Sequence, residues 1–127
     1  MRKRWLAALM IVGVLAGCAR HRLTDDDFSS DNSSTLHVVN HHWGDVDIFV
    51  NRDGQRTRVG QVTASSEENF VLPKSVMGGG GGTMQLLAHA VGSSGAISSE
   101  SISIRPGGMQ ITWTLENNLS RATLAFY

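Results

Sequence analysis

Met109-Gln110-Ile111-Thr112-Trp113-Thr114-Leu115-Glu116 alternates without a slip. Met109, Ile111, Trp113 and Leu115 share one side of an extended chain, and Gln110, Thr112, Thr114 and Glu116 share the other. Successive side chains of a pleated strand point to opposite faces. A period of two therefore predicts a strand with one face in a core and one in water. Arg105-Pro106-Gly107-Gly108 and Glu116-Asn117-Asn118 read as the turns that bound it. Ser120 to Tyr127 then returns as a last strand, with Leu124 and Phe126 opposite Thr123, Ala125 and Tyr127.

The same period runs back towards the N-terminus. Ala96 to Ile104 reads as one strand, with Ile102 and Ile104 inward and a serine-rich outer face, after a turn at Gly92-Ser93-Ser94-Gly95. Before that turn, Met84, Leu86, Ala88 and Ala90 define the core face of another strand. Gly78 to Gly82 is a glycine run that lacks the Lys-Ser/Thr and following helix of a phosphate loop, so it is expected to be a mobile connection. Glu67 to Leu72 reads as a short strand stopped by Pro73.

Upstream again, Leu36, Val38 and Asn40 alternate with His37, Val39 and His41, and Val46, Ile48 and Val50 with Asp45, Asp47 and Phe49. The expectation is a hairpin turning at His42 to Gly44. Asp53-Gly54 predicts a second, two-residue hairpin loop, because both central residues of such a turn take positive φ. In the strand that follows, Val59 and Val62 are out of step, and Gly60 between them predicts a bulge that returns both to the core. Residues 35–127 thus show about eight short strands, turns every 8–12 residues or so, and no helical stripe. The expected fold class is all-β: a small antiparallel β-sandwich of immunoglobulin-like or transthyretin-like size. The Cys–Trp–Cys hallmark of antibody domains is absent, so only the architecture follows.

Met1 to Cys18 is organised differently. Arg2, Lys3 and Arg4 form a positive head, Trp5 to Leu15 is an uncharged apolar run, and Leu15-Ala16-Gly17-Cys18 closes it with small residues and the chain's one cysteine. That order is an export signal, too short for a membrane span of about 20 residues. Leu15 to Cys18 resembles the lipobox of bacterial lipoproteins. The resemblance implies that residues 1–17 are a lipoprotein signal peptide, and that Cys18 is acylated and becomes the first residue of the mature chain. More than one acyl chain on that cysteine makes a firm anchor. Ala19 rather than aspartate after the cysteine resembles an outer-membrane address. The expected location is therefore the cell envelope, on the periplasmic face or cell surface. Ala19 to Ser34 is polar and carries Asp25-Asp26-Asp27. With the lipidated cysteine, residues 18–34 are expected to be a flexible tether.

Charge and cysteine content exclude several functions. Loss of Arg2, Lys3 and Arg4 leaves eight of the 11 basic residues against 11 acidic ones, so the mature chain is acidic and nucleic acid is not an expected partner. With Cys18 lipidated, neither a disulfide nor a thiolate nucleophile remains. No serine lies in a G-x-S-x-G elbow, and Glu67 and Glu68 are neighbours that a strand points apart. No catalytic residues, cofactor or metal site are assigned. The expected partners are the membrane, through the lipid anchor, and an envelope protein.

The densest polar cluster is His37, His41, His42, Trp43, Asp45 and Asp47. On a hairpin, His37, His41, Asp45 and Asp47 would share the outer face. These six residues are the candidate contacts for a partner or, as the alternative, for a glycan or metal. Trp43, Phe49 and Tyr127 are expected outside the core face, and bare strand edges offer a further mode of association. Leu124 to Tyr127 resembles the terminal strand of outer-membrane barrels. The strands here are shorter than the ~9–11 residues those barrels use, and their outer faces are polar, so a soluble body is expected.

Overall fold

The alternation found in the sequence is realised as strands whose apolar faces close on one another. The computed structural model describes residues 33–78 and 81–127. Its strands are β1 (Ser34–Asn40), β2 (Val46–Arg52), β3 (Gln55–Val62), β4 (Glu67–Leu72), β5 (Thr83–Ala90), β6 (Ala96–Ser98), β7 (Ile102–Ser103), β8 (Gln110–Leu115) and β9 (Ala122–Phe126). One four-stranded sheet has the order β4-β1-β8-β9 and the other the order β3-β2-β5-β6, with β7 also paired to β5. The fold is a small β-sandwich. Leu36, Val38, Ile111, Trp113 and Leu115 face Val46, Ile48, Val50, Leu86 and Ala88 across the middle, all buried. The expected signal peptide 1–17, and Cys18 with the rest of the segment to residue 32, lie outside the described residues, as do Gly79 and Gly80 of the glycine run. No helix among the described residues is long and apolar enough to cross a membrane.

Two local expectations from glycine hold. Asp53 and Gly54 have φ of 51° and 78°, and the loop joins Arg52 to its partner Gln55. The β2–β3 register slips after Ile48↔Gly60 to Phe49↔Arg58, leaving Val59 as the extra residue of a bulge. A Cβ on Gly60 would collide with the Phe70 ring, so the bulge also lets β4 and β3 approach across the sandwich.

The chain departs from expectation where it changes sheet. β1 and β2 are not a hairpin: β1 lies between β4 and β8, and β2 lies between β3 and β5 in the opposite sheet. The link His41–Asp45 contains no residue with positive φ, so it lacks the backbone of a tight hairpin turn and arches across the sandwich edge instead. The pairing of β1 with β8 is parallel, whereas every other pair is antiparallel. A period of two is the same for both senses.

Smaller departures have local causes. The strand expected over Ala96–Ile104 is split, because Ser99 turns inward. Its N–H donates to the Leu86 carbonyl (2.8 Å), and its Oγ accepts from the Leu86 N–H (2.9 Å). Pro73 precedes a single helical turn, α1 (Lys74–Met77), that buries Met77. Phe126 is 46% exposed rather than in the core, at the end of the edge strand β9. Ser34 belongs to β1 rather than to the preceding segment: it is buried, and its Oγ accepts from the Met109 N–H at 3.1 Å.

Among the described residues, Trp113 is the largest fully buried side chain. Trp113→Ala is expected to destabilise the fold by about 3–5 kcal/mol, read as a lowered midpoint in urea. A midpoint unchanged from wild type would contradict this packing.

Candidate functional site

The arch from β1 to β2 is built on a buried amide. Asn40 is fully buried at the end of β1. Its Nδ2 donates to the carbonyls of Gly44 (3.0 Å) and Thr63 (3.0 Å), and its Oδ1 accepts from the His42 N–H (3.0 Å). The arch also pairs through the main chain: His41 N–H donates to Leu115 O (2.9 Å), and Ser65 N–H to His42 O (3.1 Å). Asp45 closes the far side. Its Oδ1 accepts from the Ala64 N–H (2.9 Å), its Oδ2 from Gln61 Nε2 (3.1 Å), and its carbonyl from the Val91 N–H (2.9 Å). Groups that a corner would otherwise leave unpaired are thereby satisfied.

This frame presents one large apolar side chain. Trp43 is 77% exposed, and its indole leans on the buried His42 ring at 4.9 Å between centroids and 36° between planes. His42 Nδ1 lies 3.1 Å from the Gly44 nitrogen and 3.2 Å from the Gly44 oxygen, so whichever tautomer it holds, the ring is tied to Gly44. A Cβ on Gly44 would come within 3.3 Å of that ring, which favours glycine there. The indole thus stands on a fixed base, with its face and edge free for apolar or stacking contact.

The other candidate residues are dispersed. His37 and Asp47 lie on opposite sheets, because the hairpin expected to align them is an arch. His37 contacts Asn69 (2.8 Å) and Glu67 (3.4 Å) on β4, whereas Asp47 accepts from Arg58 of β3 at 2.6 Å. His41 is near Glu116 at 3.9 Å. Of the six, His41, His42, Trp43 and Asp45 belong to the arch. Among the described residues, no group of three or more His, Cys, Asp or Glu side chains is placed to hold a metal ion. Phe49 is on the outer face of its sheet, half-buried under Arg56, whose guanidinium sits 5.7 Å from the ring centroid. Sequence reading placed Asn40 inward but gave it no role. It missed the link Thr63–Ser66, which meets the arch from 19 to 23 residues away. Only Ser65, with φ of 51°, departs from an ordinary loop there, and nothing local marks it.

No family model matches this chain, and no curated protein matches it. A solved structure similar to it is the NMR structure of a protein from Eubacterium rectale. The identity is 14% and the TM-score 0.47, over 76% of this chain and 88% of that one.

Asn40→Asp removes both amide donations and buries a carboxylate against two carbonyls. A loss of at least about 3 kcal/mol is expected from such unpaired buried groups, measured by denaturant unfolding. Trp43→Ala, by contrast, should stay within about 0.5 kcal/mol of wild type, as for an exposed side chain. A large loss for Trp43→Ala would show that the indole serves the fold instead of a partner.

Proposed function

We propose that this chain is a lipid-anchored protein of the bacterial cell envelope, with a non-catalytic interaction module as its body. The anchor half of the reading is carried by the basic head Arg2–Arg4, the apolar run to Leu15 and the Leu15-Ala16-Gly17-Cys18 motif, in that order and spacing. The polar segment beyond Cys18 leads to Ser34, where β1 begins.

The interaction half rests on one observation: an exposed indole held on a rigid, fully hydrogen-bonded corner. Tryptophan is among the residues that most often dominate binding energy at protein interfaces, and a preformed base spares it the ordering entropy of a loop. Trp43 follows the end of β1, and Ser34 stands at the start. Six steps of about 3.3 Å separate the strand's ends, so the indole lies some 20 Å from the point where the anchor segment joins. An anchored body would carry Trp43 on its distal side, facing proteins of the envelope. The glycan form of the alternative uses the same ring, since an exposed indole also stacks on sugars.

Radiolabelled palmitate is expected to enter the wild type and not Cys18→Ser. Equal labelling of the two would remove the anchor. In envelope cross-linking, a discrete partner is expected with wild type and at least about thirtyfold less of it with Trp43→Ala, the loss that defines a hot spot. Undiminished capture by Trp43→Ala would reject the corner as the contact.

A further inference from the structure

The two ends of the sandwich differ in charge. At the end where Ser34 begins β1, the described residues carry Arg52, Arg56, Lys74 and Arg105, against the single acidic side chain Asp53. Asp53 lies 3.6 Å from Arg52 Nε, and the Arg52 guanidinium donates onward to the Gly81 carbonyl at 3.1 Å. Arg56 is drawn over Phe49. Lys74 and Arg105 are exposed, and among the described residues no carboxylate pairs with either. The opposite end carries Asp45, Glu67, Glu68 and Glu116 against Arg121. Glu100 sits midway along the β6–β7 edge, after Ser99 has paired with Leu86.

Lys74 and Arg105 flank the chain's point of attachment. Together with Ser34 they line one shallow depression of about 260 Å³. Beside it a second groove is lined by Thr35, Val71, Gln110 and Tyr127. Tyr127 is held by hydrogen bonds in both directions with the Gln110 main chain (3.0 and 3.3 Å), yet it is 83% exposed. Val71 and Phe126 at the same end are 57% and 46% exposed. Two cations with no carboxylate partner among the described residues, beside an exposed tyrosine, phenylalanine and valine, have the composition of a membrane-interface contact. Tyrosine favours headgroup depth, and each cation near an anionic surface raises partitioning about fivefold.

We propose that this basic, aromatic-rimmed end rests on the anionic headgroups of the membrane that holds Cys18, with Lys74 and Arg105 on lipid phosphate and Tyr127 at the interface. The inference builds on the lipid anchor proposed above. From Cys18 to Ser34 the chain reaches at most about 55 Å when extended, so the body stays at an effective concentration on the order of millimolar at that surface. A weak contact of two cations and three apolar side chains suffices under that condition. Docking this end leaves Trp43 and the acidic end pointing away from an anionic surface, which repels the carboxylates of that end.

Lysine usage supplies the probe, because Lys3 and Lys74 are the only lysines and Lys3 lies within the signal segment. The full chain, processed and acylated in cells, is reconstituted in vesicles of phosphatidylcholine with or without one-third phosphatidylglycerol. Modification of Lys74 by a water-soluble amine reagent is followed by mass spectrometry. Labelling is expected to be at least fivefold slower on the anionic vesicles, and Arg105→Glu with Tyr127→Ser is expected to restore the neutral-vesicle rate. Equal rates on the two surfaces would overturn the docking while leaving the anchor intact, since the protein still floats with the vesicles. Equally slow labelling on both would overturn it in favour of Asp25–Asp27 of the same chain covering Lys74. Slowing that survives the double substitution would also overturn it. Failure to float with either vesicle would instead remove the anchor, and the docking with it.

Discussion

The buried Asn40 amide is the constraint on which the rest of the molecule depends. It stands at the one place where the first strand must leave its sheet and cross to the other, and it ties the arch to the link Thr63–Ser66. A corner of this kind exposes main-chain groups that neither sheet can pair. Asn40 satisfies the Gly44 and Thr63 carbonyls and the His42 N–H at once. Inside a low-dielectric core such bonds are strong, and leaving them unmade is expensive, so a satisfied amide fixes one geometry among the many an apolar residue would tolerate. Asp45 completes the frame from the solvent side by tying in Ala64 and, through its carbonyl, Val91. The arch is thus a joint between the sheets, and the exposed Trp43 is its consequence.

The joint also gives the body two distinct ends. β1 runs from Ser34 to the arch, β2 runs back, and their loops gather at opposite ends of the sandwich. Ser34, Lys74, Arg105 and the C-terminal aromatics fall at one end. The indole and most of the described carboxylates fall at the other. The proposed function and the proposed membrane contact are therefore two readings of one polarity. The two proposed contacts are separated by the length of a seven-residue strand.

Much of this was legible in the sequence, and the failures have common causes. The core of β8 could be read from Met109, Ile111, Trp113 and Leu115, because an uninterrupted period of two leaves a single way to bury four residues on one face. Asp53-Gly54 and Gly60 were legible because positive φ and close approach are local demands on the backbone. The arch was misread as a hairpin because alternation says which face a residue takes and nothing about which sheet. The parallel pairing of β1 with β8 was hidden for the same reason. The split of Ala96–Ile104 turned on Ser99, a polar residue buried to satisfy Leu86, which no hydrophobic pattern announces. In the candidate site, His41, His42, Trp43 and Asp45 stay together in the arch because they are close in sequence. The grouping of His37 with Asp47 depended on the hairpin and dissolved with it, and the contribution of Thr63–Ser66 arrives through contacts with no local signal.

The orientation of the anchored body is the central claim, and Trp43 reports on it directly. In the lipidated protein on anionic vesicles, the emission component lost in Trp43→Phe is compared under two quenchers: acrylamide in the aqueous phase and lipids spin-labelled at the headgroup. The account predicts strong quenching of that component by acrylamide and none above background by the labelled lipids, because the indole stands at the end remote from Ser34. Quenching of the Trp43 component by the spin-labelled headgroups would place the arch on the membrane and contradict the account.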